Sequence, residues 1–396
     1  MTYRHRVATV FLFGFFLDLI NMFIASIAFP AISHALAVSV SQLAWVSNAY
    51  ILGLTVVVPF SAWLSQRWGA KLSLGLFSLG ALAAGLASSL GELIFWRTLQ
   101  GMGGGLLIPL GQALTWPLFQ PHERAKLSAA VMLVGLLAPA CSPAIGGLLV
   151  QAFSWRWVFF ASLPVALLTF VLAVRWLDDS PGPVRPTRFL PLPLLADPLL
   201  RFAMLIYLCV PGMFIGVNVV GMFYLQRVTG MAPGAIGALM VPWSLASFAA
   251  ITFSGRYFNR FGPRPLVVIG CLLQAAGILL LLKIDAHSPL VLLILAFTLM
   301  GGGGSLCSST AQSSAFLHTP AEEMPDASAL WNLNRQLSFF VGSALLALLL
   351  RVFPPVYAWQ GVFISAAAIT LLPLLFCLRL NNRAIIHRLH TTLEKS

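Results

Sequence analysis

Asp18 stands in FLFGFFLDLINMFIASIAFPAI, residues 11–32, a run that is otherwise almost wholly apolar, in a chain with 11 Asp and Glu among 396 residues. A carboxyl in such surroundings is expensive to keep there, and it is suited to taking up and releasing a proton. Asn21 follows one helical turn on, on the same face. Arg97 is its cationic counterpart, with Gln100, Gly101 and Gly104 at helical spacings that share a face with it. The structural alternative for Asp18 is a permanent pair with an arginine of a neighbouring helix. For Arg97 it is bonding to backbone carbonyls or snorkelling outward. A third group, Asn332, Arg335 and Gln336, could bind an anionic substrate group, form a gate or simply hold helices together. Asn48, Tyr50, Gln100, Gln112, Asn218, Trp243 and Gln312 are polar or amphipathic side chains in apolar runs. Together they could line a cavity, although any one alone is more readily a satisfied packing contact between helices.

These residues need elements that hold them inside a bilayer. Hydrophobic residues make up 59% of the chain and charged residues 9%, whereas a soluble domain devotes about a quarter to charge. Apolar runs near the ~20 residues that a spanning helix needs fall at about 7–30, 43–64, 72–90, 92–115, 126–151, 157–176, 202–225, 235–255, 265–283, 289–315, 327–350 and 358–378. Counted at ~1.5 Å per residue from position 7, Asp18 lies roughly 16 Å deep, near mid-bilayer. The basic start, Arg4 and Arg6, precedes a run too long for a signal peptide, so it is read as a retained first helix. With the N-terminus inside, 17 of the 23 Lys and Arg fall on the cytoplasmic side, the bias expected of an even number of spans. The net charge of +12 is thereby a topology signal and not one for nucleic acid.

The stretch 177–201, LDDSPGPVRPTRFLPLPLLADPLLR, is Pro-rich and cannot continue a helix. It divides the chain into a bundle over 1–176 and another over 202–380, with a cytoplasmic tail at 381–396. The halves repeat each other. FSAWLSQRWGAK (60–71) matches FSGRYFNRFGPR (253–264) after their second spans, and GMGGGLL (101–107) matches MGGGGSL (300–306) in their fourth spans. Arg67, Gly69 and Lys71, and Arg256, Arg260 and Gly262, read as latches at helix ends, against simple positive-inside topology as the alternative. The acidic loop 316–326, with Glu322, Glu323 and Asp326, could pair with those arginines. Gly135, Pro139, Ser142, Pro143, Gly146 and Gly147 make the fifth span small and proline-kinked, as close packing or a hinge requires. A six-plus-six chain with internal repeats is the pattern of a transporter with its site between the halves.

The chain resembles the major facilitator superfamily, and within it the drug–proton antiporters of the multidrug-resistance type, over residues 7–378. IASIAFPAI (24–32), SQLAWVSNAYILG (41–53), SAWLSQRWGAK (61–71), FWRTLQGMGGG (95–105), APACSPAIGGLL (138–149), FSWRWVFFASLP (153–164) and ASALWNLNRQLSFFVGSAL (327–345) carry the resemblance in family order. It implies an all-α polytopic fold of twelve helices in two pseudo-symmetric six-helix bundles. It also implies a role for Arg97 in proton relay, an antiporter role for the fifth-span motif, and a monomer. Gln66 replaces the loop motif's usual Asp, Ala62 its first Gly, and Ser142 the Gly of the fifth-span Gly-Pro. Asn21 occupies the family's first-span Asp site, so the carboxyl has moved one turn, to Asp18. The linker leaves no room for the two extra spans of many close relatives.

The expected function is proton-coupled efflux of small amphiphilic compounds or drugs across a bacterial inner membrane, with both termini cytoplasmic. The partners are the bilayer, a small-molecule substrate and protons. Export of an endogenous metabolite such as a siderophore, or proton-coupled uptake, are the alternatives. A polytopic enzyme would need His, Asp or Ser clustered at one membrane face, and a receptor an added soluble domain; neither is visible. The five cysteines are scattered in apolar runs without metal-ligand spacing, and the glycines at 301–304 lack the GKS or GKT of a phosphate loop. No catalytic set, cofactor or metal is expected.

Overall fold

The computed structural model describes residues 2–177, 191–231 and 233–394. Most of the expected linker therefore lies outside the described residues. The helices are α1 (Tyr3–Ile27), α2 (Phe29–Leu36), α3 (Val40–Val57), α4 (Ser61–Leu86), α5 (Leu90–Thr115), α6 (Arg124–Ala152), α7 (Trp157–Phe160), α8 (Ser162–Trp176) and α9 (Pro198–Cys209). They continue as α10 (Pro211–Tyr224), α11 (Pro233–Ala238), α12 (Met240–Phe261), α13 (Pro263–Leu280), α14 (Leu290–Ala315), α15 (Met324–Val352), α16 (Ala358–Leu371), α17 (Pro373–Cys377) and α18 (Asn382–Glu394). Only helices satisfy their own backbone inside lipid without a closed sheet, which is why a chain this apolar folds this way.

Among the described residues, 9 helical segments are long and apolar enough to cross a membrane, and Leu72–Leu86 is a shorter apolar helix. α5 and α6, of 26 and 29 residues, complete the twelve crossings. Helix starts follow local chemistry. Ser39 caps α3 in a reciprocal box with Gln42, Ser89 caps α5, and Asp197 caps α9 ahead of a proline at the first helical position. Gly69 interrupts α4 at φ 60°, ψ −162°, and Gly262 ends α12 at φ 69°, ψ 178°. These matched glycines turn the two repeated loops through a left-handed conformation that L side chains avoid.

By contacts the chain forms two compact units. One comprises Met1–Phe119, Val134–Pro191 and Thr319–Leu333; the other comprises Gln120–Leu133, Leu192–His318 and Asn334–Ser396. Each unit thus holds one repeat together with the opening turns of a long helix, α15 or α6, from the other half of the sequence.

The repeats pack alike within each unit. A Cβ on Gly101 would strike the Tyr50 carbonyl, and one on Gly301 would strike that of Trp243. Gly103 meets Ser73 and Phe77, as Gly303 meets Gly270 and Gln274. Glycines on α5 and α14 bring these helices into backbone contact with α3 and α12, and they define equivalent positions in the two repeats.

Candidate functional site

The close approach of α3 and α5 in the first unit places Tyr50 beside α1. Its phenol donates to Asp18 Oδ1 and, at 3.3 Å, to the Asp18 carbonyl. Arg97 lies over the Tyr50 ring, with its guanidinium carbon 4.3 Å from the ring centroid. The guanidinium donates to the Asn21 carbonyl at 2.9 Å, to Gln100 Oε1 at 2.8 Å and, more weakly, to the Val46 carbonyl at 3.4 Å. Gln100 in turn donates to Asn21 Oδ1 at 3.0 Å, and Asn21 to the Leu17 carbonyl at 2.9 Å. Asp18, Tyr50, Arg97 and Gln100 are 0% exposed and Asn21 is 1% exposed. Five residues on α1, α3 and α5 therefore form one buried, connected polar set holding an acid and a base.

Tyr50 and Gln100, expected along a cavity, are enclosed members of this set. Gly104 makes room for it, since a Cβ there would strike both Asp18 Oδ1 and the Tyr50 hydroxyl. A sequence reading that placed Gly104 only on the Arg97 face missed that role. The signal was present in the helical spacing from Arg97.

The second repeat carries no charge at the matched positions, where apolar groups stand beside one buried amide, Gln274, next to Gly304. Trp243, matching Tyr50, stacks on Phe214 of α10 with centroids 5.2 Å apart and an interplanar angle of 13°. Phe297 and Met300 stand where the first repeat has Arg97 and Gln100, relative to Gly301 and Gly101, and Val217 lies one turn after Phe214 as Asn21 does after Asp18. Phe214, Val217, Phe297 and Met300 belong to one buried hydrophobic cluster, against which Trp243 packs.

The other expected residues are dispersed. Asn332 donates to Gln112 Oε1 at 2.7 Å and to the Ser328 carbonyl at 2.8 Å, within the first unit. Asn48 is exposed on α3. Asn218 is half-buried, 3.9 Å from the Met240 sulfur. Gln312 is buried on α14, and Arg335 and Gln336 are half-buried on α15.

Along α6, Gly135 faces Phe15 and Leu19, and Gly146 faces Ile24 and Ile27. Ser142 donates to Ala138 O at 2.8 Å and, at 3.5 Å, to Ile20 O. This stripe therefore packs on α1, the helix that carries Asp18. α6 is continuous through Pro139; Gly147 is half-buried, and the Pro143 side chain lies outside the described set. Arg67 is exposed between Trp63 and Trp68, with centroids 5.7 and 5.6 Å away. The Lys71 side chain lies outside the described set. Arg256 and Arg260 lie over Tyr257 and Phe261.

A family model for the Major Facilitator Superfamily matches residues 11–232 and 204–389. The chain is 28% identical over 371 residues to "Multidrug resistance protein B homolog" of Mycobacterium tuberculosis (strain CDC 1551 / Oshkosh), covering 78% of this chain and 69% of the relative. It is 26% identical over 404 residues to "Putative multidrug resistance protein MdtD" of Citrobacter koseri, covering 86% and 85%. Among solved structures it is similar to the proton:xylose symporter XylE (TM-score 0.72, 16% identity, 95% of each chain covered). It is also similar to the human organic anion transporter MFSD10 (TM-score 0.75, 16% identity, 95% and 100% covered). These last two likenesses are of fold. With the family model spanning nearly the whole sequence and the fold shared end to end, the chain belongs to the Major Facilitator Superfamily.

Proposed function

We propose that this multi-pass membrane protein is a proton-coupled efflux transporter that exports small amphiphilic compounds or drugs by alternating access. In this reading it sits in a bacterial inner membrane with both termini cytoplasmic and works as a monomer. The observation that carries the coupling is the contrast between repeats. Burying an ion costs several kcal/mol even after relaxation, yet the first unit buries Arg97 ahead of Gly101 where the second has Phe297 ahead of Gly301, and it sets Asp18 against Tyr50 where the matched Trp243 stacks on Phe214. The fold tolerates an apolar filling at these positions, so the polar set is kept for something other than packing. A carboxyl that exchanges a proton, with Tyr50 as its hydrogen-bond partner and Arg97 as the nearby cation, is that use. Asn21 and Gln100 position the guanidinium.

Efflux as the direction is supported by the multidrug names of the relatives. Gln112 and Asn332, with Asn48, Asn218, Trp243, Gln312, Arg335 and Gln336, are the candidates for substrate contact. The glycines and Ser142 of α6, together with the loops at Gly69 and Gly262, are the candidates for the moving parts.

The test is transport by proteoliposomes against a panel of amphiphilic compounds, with and without an imposed pH gradient. Wild type should show gradient-driven transport, and Asp18→Asn should insert normally and lose it while keeping substrate exchange. Undiminished gradient-driven transport by Asp18→Asn would sink the proton assignment.

A further inference from the structure

The segment after the last span, expected only as a tail, is the ordered helix α18. Ile385 and Leu389 are buried in a cluster with Ala125 of α6, Leu199 of α9, Phe258 of α12, Leu266 of α13, Leu306 of α14 and Leu317. Its apolar face is thus spent on the protein, which leaves Arg383, His387, Arg388 and His390 exposed.

Asn382, the first residue of α18, clips the helix to the α12–α13 turn. Its side-chain amide donates to the Phe261 carbonyl at 2.8 Å and accepts from the Arg264 backbone N–H at 3.1 Å. Two distant basic segments, RYFNRFGPR (256–264) and RLNNRAIIHRLH (379–390), are thereby joined into one surface of the second unit. Together they hold six arginines and two histidines and no acid. A neighbouring cation, Arg124, is pushed down to about 10, first by burial and then by the charge of Arg388.

Beside these cations an aromatic ladder runs along α12. Phe253 and Tyr257 have centroids 4.6 Å apart, and Tyr257 and Phe261 5.8 Å. Phe253 is 42% exposed and Phe261 39%. Arg256 and Arg260 rest over the lower rings at 5.9 and 5.6 Å. The chemistry is therefore double, with guanidinium forks that match a phosphate at the head of an exposed apolar strip on a membrane-spanning helix.

We propose that the joined surface of α18 and the α12–α13 turn is a binding site for anionic phospholipid headgroups of the leaflet at the cytoplasmic end. The inference rests on the membrane placement given above and not on the direction or coupling of transport. A soluble polyanion would use the arginines and leave the ladder unused; a lipid uses both. Basic clusters just beyond a span attract anionic leaflets, and here the fold doubles the cluster by fastening a second segment to it.

The test uses the full-length protein purified with an equal mixture of phosphatidylglycerol and phosphatidylethanolamine, with retained lipid counted by native mass spectrometry. Wild type should retain phosphatidylglycerol in several-fold excess. The triple variant Arg260→Gln, Arg383→Gln, Arg388→Gln should lose the excess. Asn382→Ala keeps every charge and should lose much of it by separating the segments. Thermal unfolding in detergent checks that each variant is folded; should Asn382→Ala fail to fold, the triple variant decides. Wild-type enrichment in the triple variant overturns the proposal. Complete displacement of phosphatidylglycerol by inorganic phosphate overturns it as well, since the site would then take a free anion. These readouts are independent of transport, so a failed proton assignment leaves them standing.

Discussion

Gly104 faces Asp18 across the α5–α1 contact, and a Cβ at that glycine would overlap the carboxylate oxygen that accepts from Tyr50. The matched glycine of the second repeat, Gly304, meets Oε1 of the buried Gln274, a group that does not ionise and whose amide donates to the Val210 carbonyl at 2.8 Å, so a clash there displaces no acid. Gly104→Ala must displace the Asp18–Tyr50 pair, and overpacking of this kind costs about 1–3 kcal/mol. Gradient-driven transport by Gly104→Ala should fall by about tenfold or more, equivalent to roughly 1.4 kcal/mol. Gly304→Ala should stay near wild type. Equal losses in the two variants, measured in the same proteoliposomes, would show that the glycines serve packing alone.

Tyr50 has two separable parts. Its ring lies under Arg97 at 4.3 Å, and its hydroxyl donates to Asp18. Tyr50→Phe keeps the first and removes the second, forfeiting a hydrogen bond to a charged group worth about 1.5–3 kcal/mol. The variant should remain folded, with slower gradient-driven transport and a pH profile displaced from wild type by about a unit or more. Trp243→Phe, at the matched position, should leave the profile where it is. A Tyr50→Phe profile that overlays wild type would remove the phenol from the proton's path.

Arg97 is held by its geometry as well as its charge. The fork reaches Asn21 O and Gln100 Oε1 at once, at 2.9 and 2.8 Å, while its plane covers Tyr50. Lysine offers a point charge without fork or plane. Arg97→Lys should therefore lose gradient-driven transport nearly as fully as Arg97→Ala. Both should unfold at lower temperature, because breaking a buried charged network costs about 3–5 kcal/mol. Wild-type coupling in Arg97→Lys would mean that charge alone suffices.

Much of this was legible in the residues. Spans follow from apolar run length, and Asp18 and Arg97 stand out because charge is rare in such runs. The helical spacing of Arg97, Gln100, Gly101 and Gly104 correctly placed them on one face. Tyr50 was harder, because its partner lies 32 residues away on another helix and only the packing of α3 on α5 brings them together. One clue went unused: Asn48 and Tyr50, two residues apart on a helix, point nearly opposite ways, so both could not line one surface. Asn48 is exposed and Tyr50 enclosed. α18 also left a trace, in Ile385 and Leu389 one turn apart, which reading residues 381–396 simply as a tail passed over.

Asp197 gives a test away from the transport path. It accepts from the Leu199 N–H at 3.0 Å, capping α9, and bonds the His318 imidazole at 3.0 Å. Partial burial works against its charge, but the His318 and Leu199 bonds outweigh it and hold the carboxyl below its ordinary range. A carboxyl lowered in the folded state adds stability above the unfolded value, about 3.9, and that stability fades as pH falls through the lower folded value. Asp197→Ala should cost about 0.5–2 kcal/mol at neutral pH, the usual worth of an N-cap. Asp197→Asn should cost less there, since it can still cap. On acidification the gap between wild type and Asp197→Asn should close below about pH 3, once the wild-type carboxyl is protonated. Thermal unfolding of both variants in detergent across that range measures it, and a gap that persists unchanged into acid would mean the charge at Asp197 adds nothing beyond the cap.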